Sequence, residues 1–221
     1  MSQASVLITG AQGFVGRHLT THLQASGDDV VGVDRFPDPS GANDGVDITD
    51  ADAIRKLIAD IEPRAIYHLA GWADVGGSWR APVEAFRANA EGTLNVLSAA
   101  AECGVERVLA VSSADVYGKV DPSELPLTED SPLRPASPYA ASKVAADYLG
   151  LQAWLGNGLP VLRVRAFNHL GPGHRVAHRP GRASRQPRGP SHRRPVRPPR
   201  LHRRARRRPG LPAPHGARRA R

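Results

Sequence analysis

The sequence predicts an α/β fold, a doubly wound parallel sheet wrapped by helices, on three observations. Short apolar runs rich in β-branched residues alternate with longer stretches of helical period. The first run, Ser5 to Thr9, passes through Gly10-Ala11-Gln12-Gly13-Phe14-Val15-Gly16 directly into a helical pattern. The second run ends in an acid, Asp34, 18 residues beyond Gly16.

Ser5-Val6-Leu7-Ile8-Thr9 has the length and composition of a buried strand, and Phe14, Val15, Leu19 and Leu23 follow at the spacing of one helix face. A strand that turns through glycines into a helix N-terminus makes a pyrophosphate site of the Rossmann type. Gly10 makes the tight turn, Gly13 lets backbone approach phosphate, and Gly16 lets helix and strand pack closely. Gln12, Phe14 and Val15 complete this cofactor-binding turn. The second strand, Asp29 to Val33, delivers Asp34 to the place where an acid holds the adenosine ribose hydroxyls. An ordinary strand-end turn role is the alternative for Asp34. Arg35 is placed to hold a 2′-phosphate, so NAD and NADP both remain open, with NAD favoured.

A polar loop, Phe36 to Gly45, precedes a helix from Asp50 to Asp60 carrying Ala53, Ile54, Leu57 and Ile58 on one face. Ala65 to Ala70 is the third strand. From Pro82 to Cys103 the residues Val83, Phe86, Ala90, Leu94, Leu97 and Ala101 recur at one helix face, and Gly104 caps its end. Arg107 to Ser112 is the fourth strand. Ser137 and Pro138 supply an N-cap and first-turn proline for a helix reaching Leu155, and Pro160 to Arg165 is the fifth strand. Periodicity stops after Gly173.

Charge divides the 221 residues sharply. Residues 1–173 carry 13 Lys or Arg against 21 Asp or Glu, a net of −8, whereas residues 174–221 carry 17 Arg, nine Pro and no acid or Lys. The expected organisation is therefore an incomplete dinucleotide-binding domain, 1–173, followed by an Arg/Pro-rich tail, 174–221. The tail lacks Phe, Tyr, Trp, Ile and Met, too little apolar surface to offset ordering entropy, and is expected to be disordered. The one cysteine, Cys103, excludes an internal disulfide and is expected to pack near a helix end. His18, His22 and His68 lack metal-ligand spacing, and no metal site is expected. Neither a secretory leader nor a membrane-spanning run is visible, so a soluble cytoplasmic protein is the expectation.

Tyr139 and Lys143 stand four apart in the helix after Ser137 and share a face. A nearby ammonium pulls a phenol's pKa down toward neutrality and lets it exchange a proton at a carbonyl or carbinol oxygen. Ser112-Ser113-Ala114-Asp115-Val116-Tyr117-Gly118 closes the fourth strand, whose carboxyl end lines the ligand crevice of such sheets. Ser113 is there a hydrogen-bond donor to the reacting oxygen, or a plain turn residue.

With the glycine turn, His68-Leu69-Ala70, Ser112 to Gly118 and Ser137-Pro138-Tyr139-Ala140-Ala141-Ser142-Lys143, residues 5–173 resemble the extended short-chain dehydrogenase/reductases. They are similar to the NAD-dependent epimerase/dehydratase family within that group. The resemblance implies that Ser113, Tyr139 and Lys143 are catalytic, that Asp47 and Ile48 contact adenine, and that Leu69, Ala70 and Gly71 pass beneath the cofactor. Asp115 occupies the place of the dehydratases' glutamate base. Arg165 to Gly173 resembles the GDP-4-keto-6-deoxymannose reductases of the GDP-mannose 4,6-dehydratase group, which implies Phe167 at the nicotinamide and Asn168 near the sugar phosphates. Asp74 and Ser78, with Trp72 and Trp79, fall in a loop that touches the sugar in relatives.

The implied activity is reduction of a GDP-linked 4-keto-6-deoxy sugar, with 4-epimerase or 4,6-dehydratase as alternatives. The implied partners are a nucleotide sugar and, if the chain were complete, a second copy joined through 82–103 and 137–155. Relatives continue into a smaller substrate lobe, so that lobe is expected to be missing or replaced by the tail, with apolar surface left bare and little turnover. Permissible codons for Arg200 to Ala213, shifted one base forward, permit Asp-Phe-Thr-Asp-Val-Arg-Asp, similar to this family's substrate region; the tail is thus expected to be a frameshift product. The alternative of another class is a non-catalytic dinucleotide binder whose basic tail binds nucleic acid, unspecifically if out of frame.

Overall fold

A computed structural model of the chain describes residues 5–37 and 45–173. The Arg/Pro-rich tail, its expected disorder and its expected frameshift lie outside the described residues.

Five strands, β1 (Val6–Thr9), β2 (Val30–Val33), β3 (Ala65–His68), β4 (Arg107–Val111) and β5 (Val161–Val164), form one parallel sheet in the order β2-β1-β3-β4-β5. The chain winds one way from β1 to β2 and the other way from β1 through β3 to β5. A crevice therefore opens above the carboxyl ends of β1 and β3, where such sheets hold ligands. The helices are α1 (Phe14–Ala25), α2 (Ala51–Ile61), α3 (Val75–Ser78), α4 (Pro82–Phe86), α5 (Gly92–Glu102) and α6 (Pro138–Asn157). Local chemistry sets their starts: Asp50 accepts from the Ala53 amide at 3.0 Å ahead of α2, and Ser137 Oγ accepts from the Ala140 amide at 3.0 Å ahead of α6. Glycine in the left-handed region ends α6 at Gly158.

Strand pleating sorts the core into two faces. Leu7, Ile66 and Val108 are in register and face α2, α5 and α6, packing with Ile54, Ile58, Val96 and Ala100. Ile8, Tyr67, Leu109 and Leu162 are in register on the face that carries α1. Burial falls strand by strand away from α1, from 0 % exposure at Ile8 to 48 % at Leu162. At the β5 edge Phe167 and Leu170 are exposed as well, the bare apolar surface expected on this side.

Two readings of the sequence need correction. Val83, Phe86 and Leu94 are exposed, whereas Ala90 and Leu97 of the same expected face are buried, together with Ala85, Asn89, Thr93, Val96 and Ala100. A π-helical turn, Arg87–Glu91, joins α4 to α5 within this stretch. Cys103, expected to pack, is exposed at the end of α5.

A buried ion cluster ties α6 to the β5 edge. The Asp147 side chain is fully buried; it takes Arg163 at 2.6 Å and a two-pronged hydrogen bond from Arg165 at 2.9 and 3.0 Å. Arg165 also donates to Tyr117 Oη at 3.1 Å and to the Glu129 carbonyl at 2.6 Å, gathering the loop after β4. Burial alone would raise the Asp147 pKa, but the two guanidinium groups hold it below the ordinary carboxylate value. A depressed carboxylate stabilises the fold above its unfolded pKa and ceases to do so as pH falls through its folded one. Asp147→Ala leaves two guanidinium groups facing no counter-charge, and urea unfolding at neutral pH should show a loss of about 3–5 kcal/mol.

Candidate active site

The opening turn is a steric solution before it is a binding site. Gly10 sits at φ +76°, and its amide and that of Ala11 donate to the Val33 carbonyl at 2.8 and 3.1 Å. A Cβ on Gly10 would stand 2.7 Å from the Ala70 nitrogen, and one on Gly16 would collide with the Gly10 carbonyl oxygen. Only bare backbone lets the turn, the strand-end loop after β3 and the start of α1 meet this closely. No side chain caps the first turn of α1, so main-chain amides and the positive dipole end face a cleft of about 600 Å³.

Gly10, Gly13, Phe14, Val15 and Gly16 form one wall of that cleft. Asp34 closes the β2 side, its two carboxylate oxygens accepting from the Gln12 amide at 3.0 Å and the Arg35 amide at 2.8 Å. Gln12 thus acts through its backbone, while its side chain bonds the Phe36 carbonyl. Asp47 and Ile48 line the far wall. Asp47 is pinned by the Thr49 amide at 2.9 Å and hydroxyl at 2.8 Å and paired with Arg35 at 3.2 Å. The Thr49 amide is the main cause of its lowered pKa, with Arg35 and Arg87 adding to it. This glycine turn, closed to any Cβ at Gly10 or Gly16, with an acid at the end of β2, fits a dinucleotide.

Leu69, Ala70 and Gly71 form the floor. Beneath it His68 bridges Thr9 Oγ1 at 2.8 Å and Thr93 Oγ1 at 3.0 Å. Its burial, with the Lys143 charge, lowers its pKa to about 3, so it stays a neutral structural bridge.

A second cleft, of about 590 Å³, shares Val15, Leu69, Gly71 and Trp72 with the first, and the two run together as one groove. Ser113, Asp115, Tyr139, Lys143, Phe167 and Asn168, expected from sequence to do chemistry, all line it. Lys143 is buried, donates to the Val111 carbonyl at 3.0 Å, and is pushed by desolvation down to about 8. The Tyr139 pKa is raised, not lowered. Burial of the phenol dominates, Ser113 hydrogen bonding pulls the other way, and the Asp115 charge adds to the rise. The expected lowering by Lys143 is absent.

Asp74 and Ser78 are placed elsewhere. Asp74 caps α3 through the Gly77 amide at 2.9 Å. Ser78 is fully buried, donates to Val75 and accepts the Tyr139 amide at 3.1 Å, so it positions the start of α6. Trp79 is 64 % exposed, and Trp72 donates to the Asp74 carbonyl at 2.7 Å. Asn89 is the residue that sequence reasoning missed. Set in the π turn, it accepts from the Trp72 amide at 2.9 Å and donates to Ser142 Oγ at 2.8 Å, joining the floor loop to α6 beside Lys143. A polar residue repeating at the buried spacing of Ala85, Thr93 and Val96 was the available signal.

Among the described residues there is no cluster of acidic, histidine or cysteine side chains suited to a metal, and no helix long and apolar enough to cross a membrane.

The profile of the NAD dependent epimerase/dehydratase family matches residues 6–187. GDP-6-deoxy-D-mannose reductase of Pseudomonas aeruginosa is 37 % identical over 182 residues, 82 % of this chain and 57 % of that protein. The structure of Thermus thermophilus UDP-glucose 4-epimerase complexed with NAD superposes with a TM-score of 0.66 at 33 % identity, over 73 % of this chain and 54 % of that one. RMD from Pseudomonas aeruginosa complexed with NADPH gives 0.66 at 35 %, over 78 % and 56 %. The chain thus spans a little over half the length of these relatives.

A difference titration of tyrosinate absorbance, wild type minus Tyr139→Phe, should place Tyr139 above the ordinary tyrosine value. Ser113→Ala should move it higher still, since the one group pulling it down is gone. A Tyr139 midpoint below that ordinary value would contradict the reading.

Proposed function

We propose a function from one premise, that this chain belongs to the NAD dependent epimerase/dehydratase family. Its members among the relatives are nucleotide-sugar reductases, epimerases and dehydratases, enzymes whose structures hold NAD or NADPH. The reading is an NAD(P)-dependent oxidoreductase that reduces the C4 ketone of a GDP-linked 4-keto-6-deoxy sugar. The carrying observation is the meeting of Ser113, Tyr139 and Lys143 in a cleft continuous with the glycine-turn cradle.

In this reading Gly13 to Gly16 hold the pyrophosphate, Asp34 the adenosine ribose, Asp47 and Ile48 the adenine, and Phe167 lies beside the nicotinamide. The dinucleotide, when bound, supplies the hydride. Ser113 and Tyr139 orient the ketone oxygen, and Tyr139 gives it a proton. The phenol is protonated at neutral pH, as a donor must be, and burial makes it a weaker acid than a free tyrosine. Lys143, near pKa 8, can gain or lose a proton at neutral pH and serves the ribose side of the phenol. Asn168 is assigned to the sugar phosphates. Asp115 stands beside the phenol where a base would act in a dehydratase.

The same set serves a 4-epimerase, the activity of the Streptomyces lividans relative at 33 % identity. The reductase reading is preferred because the Phe167-Asn168-His169-Leu170-Gly171-Pro172-Gly173 segment resembles that group. A homodimer through the exposed Val83, Phe86 and Leu94 and the exposed Tyr148 and Trp154 of α6 belongs to the proposal, as does a cytoplasmic setting. So does an out-of-frame origin for the residues after Gly173, which the gene's neighbouring frame would expose by running on into family sequence.

The test pairs NADH fluorescence with loss of reduced-nicotinamide absorbance on adding GDP-4-keto-6-deoxymannose. The purified chain should bind dinucleotide and turn over slowly, and restoring the neighbouring frame should raise the rate at least ~100-fold, the scale that orienting a substrate supplies. Interconversion of UDP-glucose and UDP-galactose without net cofactor oxidation would replace this reading with the epimerase.

A further inference from the structure

The adenosine end of the groove carries a charge arrangement that decides between the two dinucleotides. NAD presents a neutral ribose diol there; NADP presents a phosphate on the same oxygen. Among the described residues, Asp34 and Asp47 line this end with Arg35 and Arg87. Arg87 is already clamped by Glu91 at 2.7 and 3.3 Å. Arg35, the residue next to the ribose acid and the natural phosphate partner, is paired with Asp47 at 3.2 Å.

The Arg35–Asp47 pair is exposed, and an exposed pair is ordinarily weak because water competes and flexible side chains must be held still. Here half of that cost is absent. Thr49 fixes the Asp47 carboxylate through its amide at 2.9 Å and its hydroxyl at 2.8 Å, both on Oδ1, leaving Oδ2 to face Arg35. The carboxylate is therefore a fixed negative charge that Arg35 finds whichever rotamer it samples. A 2′-phosphate would need Arg35 to leave it and would still face the Asp34 charge.

We propose that Asp47 sets the cofactor preference of this chain toward NAD by holding Arg35. The proposal rests on the dinucleotide reading above. Asp47→Asn is a clean probe because its Oδ1 still accepts both Thr49 bonds, while the charge opposite Arg35 disappears. Adenine contacts are common to NADH and NADPH, so they cancel in the ratio of the two affinities.

The experiment is a fluorescence titration of the full chain with NADH and with NADPH, in wild type, Asp47→Asn and the Arg35→Ala/Asp47→Asn double variant. Wild type should bind NADH more tightly. Asp47→Asn should shift the ratio toward NADPH by about three- to tenfold, the range of one screened charge pair with phosphate. The double variant should return it to the wild-type ratio. A ratio unmoved by Asp47→Asn, or a gain that survives loss of Arg35, would overturn the proposal while leaving dinucleotide binding intact. Tighter NADPH binding by wild type overturns it even if the variants do not fold. Failure of wild type to bind either dinucleotide would remove the cofactor reading itself, and this inference with it.

Discussion

Backbone-to-backbone contact at the first turn is the constraint on which the remaining structure depends. Gly10 lies against the Ala70 nitrogen and Gly16 against the Gly10 carbonyl, at separations that admit no Cβ. This contact brings the ends of β1 and β3 and the start of α1 to one point, the place where the strand order reverses. The helix that starts there begins without a side-chain cap. A methyl group at either glycine would separate the anion cradle from the floor that carries the reacting end.

The second cleft is aligned by a different kind of force, a set of buried polar ties. Ser78 takes the Tyr139 amide, Asn89 takes Trp72 and Ser142, and Asp147 takes Arg163 and Arg165. Each joins α6 to a separate element, so the phenol and ammonium are located from several directions. Buried polar groups of this sort stabilise only when fully partnered, and the three networks are. Lys143 donates to the Val111 carbonyl, and the Tyr139 pKa is raised by burial.

Most of the frame was legible in the sequence because its signals are local. β-branched runs marked β1 through β5, Asp50 and Ser137 marked helix starts, and the glycine spacing marked the turn. What escaped was set by contacts distant in sequence. Val83, Phe86 and Leu94 share an expected helix face with Ala90 and Leu97, yet only the latter two are buried, because which side of the face meets the sheet is set by the tertiary packing. Ser78 was placed at the substrate by resemblance, yet its hydroxyl is consumed by an amide 61 residues away. Asp147 was overlooked although it lies one turn beyond Lys143, because only the fold brings Arg165 to it.

Amide chemical-shift mapping by NMR, with NAD added to the isotope-labelled chain, tests the central claim most directly. The largest changes should fall on the Gly13, Phe14, Val15 and Gly16 amides, with smaller ones at Asp34 and near Lys143. Saturable NAD binding that left those four amides unmoved and shifted another surface would contradict the account.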